Sequence, residues 1–91
     1  MLSDLKIRGL KPKNKDYPTA DSNGLAIYTT PKGVKKWRYR YRFDRKASMI
    51  SLGKYPAVSL SEARKQRDIY QKVLFDGINP KVYKDNLRQT Q

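Results

Sequence analysis

The residues best placed to do chemistry form one run, Trp37-Arg38-Tyr39-Arg40-Tyr41-Arg42-Phe43. Its guanidinium groups recur at every second position. Each is a rigid fork of donors that fits a phosphate, or guanine O6 and N7, through two parallel hydrogen bonds. The chemistry on offer is therefore recognition of an anionic, hydrogen-bonding surface. Catalysis has little to draw on. The 91 residues include no His and no Cys, so the commonest general base and the thiolate ligands are missing. The eight Asp and Glu are scattered rather than clustered, so no metal site and no cofactor is expected. The chain is expected to bind and not to act as an enzyme.

Charge points the same way. Twenty-one Lys and Arg give a formal net charge of +13. Such a field attracts polyanions and makes their binding salt-dependent. Nucleic acid is the leading partner, and an acidic membrane surface competes with it. The N-terminus lacks an apolar signal region, and no run approaches 18 apolar residues. The chain is expected to be cytoplasmic, without membrane association.

The arginine run alternates without error over seven positions, which is the period of a strand. Trp37, Tyr39, Tyr41 and Phe43 share one face; Arg38, Arg40 and Arg42 share the other. A strand over Leu25–Thr30 precedes it, placing Leu25, Ile27 and Thr29 on one side and Ala26, Tyr28 and Thr30 on the other. Asp21-Ser22-Asn23-Gly24 signals a turn before that strand, and Thr30-Pro31-Lys32-Gly33 fits a type I turn after it. A third strand is read over Ser48–Leu52, ended by Gly53. Residues 11–18 are Lys-rich and read as a loop, or as a short edge strand ending near Tyr17-Pro18.

Ser59 and Glu62 have capping-box spacing. Leu60, Ala63, Arg67, Tyr70 and Leu74 then recur at helical spacing to about Asp76, where Gly77 and Pro80 stop the helix. Ser3 caps a short helix over about residues 4–10. Residues 81–91 are polar and unpatterned, and are read as a tail. The expected architecture is α+β: a three-stranded antiparallel sheet packed on one face by a long C-terminal helix, plus a short N-terminal helix. It makes one domain over residues 1–80.

Three arginines in alternation cannot share a buried face without heavy desolvation. The aromatic face must therefore lie under the helix, leaving Arg38, Arg40 and Arg42 exposed beside Tyr28, Thr30, Met49 and Ser51. A sheet can enter the major groove of B-DNA, about 12 Å wide. The candidate DNA-binding residues are Arg38, Arg40 and Arg42 for base edges, and Tyr28, Thr30 and Ser51 for phosphates or base edges. Lys32, Lys35 and Lys36, near the hairpin tip, are candidates for the groove wall. Two other classes fit the same composition. One is a general RNA or single-strand binder that stacks bases on exposed rings. The other is a basic protein-interaction module. A blander reading gives strand arginines only to solubility; three in register on so basic a chain weigh against it.

Beyond these patterns, the sequence resembles a known family. Ser3-Asp4-Leu5-Lys6-Ile7-Arg8-Gly9-Leu10-Lys11-Pro12 resembles its opening helix, and Asp21-Ser22-Asn23-Gly24-Leu25 its turn into the first main strand. Trp37-Arg38-Tyr39-Arg40-Tyr41-Arg42 resembles its W-x-x-R-Y-R strand. Leu52-Gly53-Lys54-Tyr55-Pro56-Ala57-Val58-Ser59-Leu60-Ser61-Glu62-Ala63-Arg64 resembles its signature L-G-x-Y-P-x-[VI]-S-L-x-x-A-R. Gly77-Ile78-Asn79-Pro80 resembles its helix exit. The family is the N-terminal arm-type DNA-binding domain of phage and prophage tyrosine recombinases, or integrases. The chain departs from it at Asp44-Arg45-Lys46, where relatives commonly carry a Gly. The resemblance implies binding of double-stranded arm-type repeats beside an attachment site, with core-binding and catalytic domains elsewhere in the recombinase. It implies that residues 81–91 link to those domains, and that accessory DNA-bending proteins join the full complex. The isolated domain is expected to be a monomer.

Overall fold

The computed structural model describes residues 1–89. Its elements are α1 (Asp4–Arg8), β1 (Tyr17–Ala20), β2 (Leu25–Thr29), β3 (Lys35–Phe43), β4 (Lys46–Tyr55), α2 (Leu60–Phe75) and α3 (Pro80–Gln89). The strands form one antiparallel sheet in chain order, β1-β2-β3-β4. The α+β class, the long helix on one sheet face and the short leading helix agree with the sequence pattern.

The strand number does not. The sheet has four strands among the described residues, not three. The segment read as a loop, or as a short edge strand ending near Tyr17-Pro18, does give an edge strand, but β1 begins at Tyr17 rather than ending there, with Pro18 opposite Tyr28. The strand is short and carries a proline, which obscures its period. Proline is tolerated there because β1 lies at the sheet edge. The segment read as a polar tail is also different, since α3 is helical through residue 89. Pro80 does end the preceding pattern, but it also occupies the first position of a new helix, where its missing N–H costs nothing. The Asn79 side chain accepts from Lys81 N at 3.0 Å, capping that helix. Residues 90 and 91 of the expected tail lie outside the described residues.

The core follows from period two. Trp37, Tyr39 and Tyr41 are buried and lie with Leu25, Ile27, Ile50 and Leu52 beneath Leu60, Ala63 and Tyr70 of α2. Phe43 is half-buried at the margin. The rings are organised rather than merely crowded. Tyr39 stacks between Tyr41 and Tyr70, at centroid distances of 5.6 and 6.4 Å, and Tyr83 of α3 meets Tyr70 edge-on at 6.2 Å. Two polar edges find partners, as buried Tyr and Trp require. Trp37 Nε1 donates to the Val58 carbonyl (2.8 Å) and the Tyr41 hydroxyl to Asn79 Oδ1 (2.8 Å).

Each hairpin turn has its own solution. Gly33 N donates to the Thr30 carbonyl and Gly33 has φ 86°, a type I turn closed by a left-handed glycine. The β3–β4 connection has only two residues, Asp44 and Arg45, with φ of 55° and 67°. This mirror-image turn matches strand twist but favours Asn-Gly or Asp-Gly. The Gly missing from the sequence is therefore replaced by a left-handed arginine, at a cost. Arg45→Gly is expected to raise stability by about 0.5–1 kcal/mol, read as a rise in Tm of roughly 3–6 °C. A fall in Tm would show that the Arg45 side chain contributes more than its backbone costs.

Candidate nucleic-acid interface

The sheet face opposite α2 is the candidate site. Cross-strand register places Pro18, Tyr28, Lys36 and Lys54 in one row. Ala20, Ala26, Arg38 and Ser51 form the next, followed by Arg40 with Met49 and Arg42 with Ala47. Arg40 and Arg42 are exposed, and Arg38 is half-buried. Arg38 lies over the Tyr28 ring, its guanidinium carbon 5.1 Å from the centroid. That contact, a cation over an aromatic face, holds the side chain in place. The Tyr28 hydroxyl in turn donates to Met49 Sδ at 3.5 Å. The four strands contain no Asp or Glu; every acid sits in a helix, a turn or a loop. The arginines therefore face outward with no carboxylate beside them in the sheet.

What holds this face in shape is a buried ion cluster behind the β1–β2 turn. Asp21 has a side chain that is 0% exposed. It accepts from Leu2 N (2.8 Å), from Arg64 Nε and Nη2 (3.0 and 2.9 Å) and from Arg67 Nη1 (3.4 Å). Arg67 also donates to the Ser22 hydroxyl at 2.8 Å. One carboxylate thus ties the N-terminus, the turn and α2 together. Burial pushes the Asp21 carboxyl up. The hydrogen bond from Arg64, that from Leu2 N, the Arg64 charge and the Ser22 hydroxyl outweigh it, so the net pKa lies below the ordinary value. The turn then docks on the arginine strand: Arg40 N donates to the Gly24 carbonyl at 2.8 Å. A Cβ on Gly24 would run into the Arg40 carbonyl oxygen, and φ there is +90°. Only glycine lets the turn approach so closely.

The nine residues picked from sequence fare differently. Arg38, Arg40, Arg42, Tyr28, Ser51 and Lys36 share the exposed face. Thr30 does not continue its strand. It enters the hairpin turn, where its hydroxyl accepts from Val34 N at 3.1 Å. Lys32 is exposed within that turn. Lys35 falls in the register of Trp37 and Tyr39, on the α2 side of the sheet. Lys54 was missed. Strict alternation from Ile50 and Leu52 would send it into the core. A β-bulge shifts the register instead, so that Gly53 pairs with Trp37 and Lys54 with Lys36. Gly53 at φ +116° marks the site, and a Cβ there would sit 2.5 Å from Val58 Cγ2. The sequence signal was a glycine inside a strand, which often means a bulge.

Arg64 and Arg67 also depart from expectation. With Lys65, Asp68 and Lys72 they make the charges of α2 mixed in sign, which reads as a solvated face, although Arg67 also stands at the spacing of the apolar stripe. In the structure they are the partners of Asp21, and Arg67 is buried. The clue was Arg67 itself, a charge at the spacing of the apolar stripe, which demands a buried partner.

No helix among the described residues is long and apolar enough to cross a membrane, and no group of three or more potential metal ligands is present among them. Comparison with known proteins adds independent findings. A family model described as an Arm DNA-binding domain matches residues 2–86. The chain is 39% identical over 89 residues to the integrase of Enterobacteria phage P4, covering 96% of this chain and 20% of that protein. It is 40% identical over 80 residues to the integrase of Shigella phage Sf6, and equally to prophage integrase IntS of Escherichia coli (strain K12). Each of those matches covers 88% of this chain and 21% of the relative. The chain spans about one fifth of the length of the curated relatives it matches.

Proposed function

The chain belongs to the family of Arm DNA-binding domains, and from that premise we propose that it reads duplex DNA at arm-type sites through the arginine face of its sheet. The matched family is a DNA-binding unit and not a catalytic one, and its partner is DNA. In the proposed setting this unit serves a site-specific recombinase whose core-binding and catalytic parts lie outside these residues. Its α3 leads toward them, and accessory DNA-bending proteins complete the assembly. The domain acts in the cytoplasm and, taken alone, as a monomer. Tethering a second DNA contact to a recombinase raises occupancy through effective concentration, without new chemistry.

The observation that carries this reading is the outward row Arg38-Arg40-Arg42, half-buried at Arg38 and exposed at Arg40 and Arg42, on a sheet free of acids. The axes of β2, β3 and β4 span about 10 Å, against a major groove of about 12 Å. The single-strand alternative finds little support. The rings it would need as a stacking platform, Trp37, Tyr39 and Tyr41, are inside the core.

Selection from a random duplex library, at about physiological ionic strength, tests the proposal. One enriched motif of several base pairs is expected; equal or better binding to RNA would sink it. A second expectation concerns the groove wall. Lys36→Ala should weaken all duplexes alike and lower the slope of log affinity against log salt by about one unit. An unchanged slope would remove Lys36 from the phosphate contacts.

A further inference from the structure

The arginine face is not uniformly polar. An open cavity of about 780 Å³ runs along it from the β1–β2 turn to β4, lined by Ala20, Gly24, Ala26, Arg40, Arg42 and Met49, among others. Its lining mixes polar groups, Ser48 among them, with the methyl groups of Ala20, Ala26 and Ala47 and the thioether of Met49. Met49 is 40% exposed, yet it lies directly opposite Arg40 in the β3–β4 register. Directly opposed side chains are about 4.5–5.5 Å apart at Cβ. The side chain does not hang free, since the Tyr28 hydroxyl holds its sulfur and Arg38 lies across the Tyr28 ring. An isolated apolar side chain on a surface needs no explanation. One pinned by a hydrogen bond, opposite an exposed arginine and in a hollow that alanines also line, suits a small apolar group.

The major groove offers one such group. Adenine, guanine and cytosine present only donors and acceptors there, whereas thymine presents a 5-methyl. Resting on the duplex reading above, we propose that Met49 is a specificity-determining residue that packs against a thymine 5-methyl. That thymine lies within two base pairs of the base pair that Arg40 contacts. Arg40 supplies the polar half of the readout and Met49 the apolar half. Tyr28 is the positioning residue that keeps the thioether on the face.

The test uses the duplex enriched from the random library and the same duplex carrying 2′-deoxyuridine in place of each thymine in turn. Deoxyuridine keeps the pairing and removes only the methyl. At one position the unmodified chain is expected to lose about fourfold in affinity, the loss that burying one methyl group corresponds to. Met49→Ala should lose a similar factor on the thymine duplex and then show no further loss with deoxyuridine. Full indifference of the unmodified chain to deoxyuridine at every position overturns the methyl contact while leaving duplex reading in place. So does a Met49→Ala variant that still loses fourfold on removal of the methyl. A chain that enriches no motif at all overturns both proposals. The deoxyuridine scan needs no mutant, so it stands whether or not Met49→Ala folds well.

Discussion

Asp21→Ala is expected to destabilise the domain by about 3–5 kcal/mol, the usual result of removing one partner from a buried ion pair. A domain of this size has a total stability of only about 5–15 kcal/mol, so the variant should be partly unfolded at 37 °C. The cost is not the lost attraction alone. Arg67, with a side chain 9% exposed, would be left buried with only the exposed Asp68 carboxylate as counter-charge. Leu2 N would lose its acceptor as well. Asp21→Asn keeps an acceptor for Leu2 N but removes the charge, and should fall between alanine and the native residue. Chemical unfolding of the three proteins measures this. Equal stability of the alanine variant and the native chain would show that the cluster is not what anchors the turn. Acid provides a second handle. The folded-state pKa of Asp21 lies below its unfolded value. Its contribution is therefore fully present above the unfolded pKa, roughly 3.9. It is lost as pH falls through the depressed folded value. The Asp21→Ala protein should accordingly lose less stability than the native chain over that acid range.

Arg40→Ala should leave folding nearly intact and lower affinity for the selected duplex by about 1–3 kcal/mol, with relaxed preference at one base pair. Its side chain is exposed and has no salt bridge among the described residues. The link to the β1–β2 turn runs through its backbone N–H, which alanine retains. Arg40→Lys is the sharper variant. It keeps the charge but replaces a two-toothed fork with a point charge, so it should restore the salt dependence and not the base preference. Complete rescue by lysine would mean that the face senses charge only. An unaltered motif and affinity in Arg40→Ala would remove this residue from the interface.

These two residues also show why one part of the molecule is legible in sequence and another is not. Arg40 belongs to a local pattern. Period two over seven residues, in which one set cannot be buried, assigns both faces of β3 with no knowledge of the rest of the chain. The capping spacing of Ser59 and Glu62 places α2 by equally local means, and the structure has that cap, with Glu62 N donating to Ser59 Oγ at 3.1 Å. Asp21 belongs to no local pattern. Its partners stand 43 and 46 positions away, and nothing near it in sequence says that it is buried. Pro80 and Gly53 misled for a third reason. Each residue type has two meanings, as terminator or helix starter, and as strand end or bulge. Asn79 and Val58 decide between them only once the chain is folded. Lys54 reaches the outer face because the bulge beside Gly53 shifts its parity, whereas Lys35 keeps the parity of Trp37 and so lies on the α2 side.

The alternation in β3 has a consequence for how such a domain can change over evolutionary time. Positions 37, 39 and 41 answer to the core, while 36, 38, 40 and 42 answer to whatever the face meets. The two sets are interleaved in the gene yet nearly independent in selection. Target preference can drift by single codon changes at even positions while the odd positions stay put. The same arrangement makes the strand intolerant of frame-preserving insertions. One extra codon inside it would exchange the two sets, burying arginine and exposing tyrosine in one step. Lineages diverging in target site should therefore differ here by substitution and keep the strand's length.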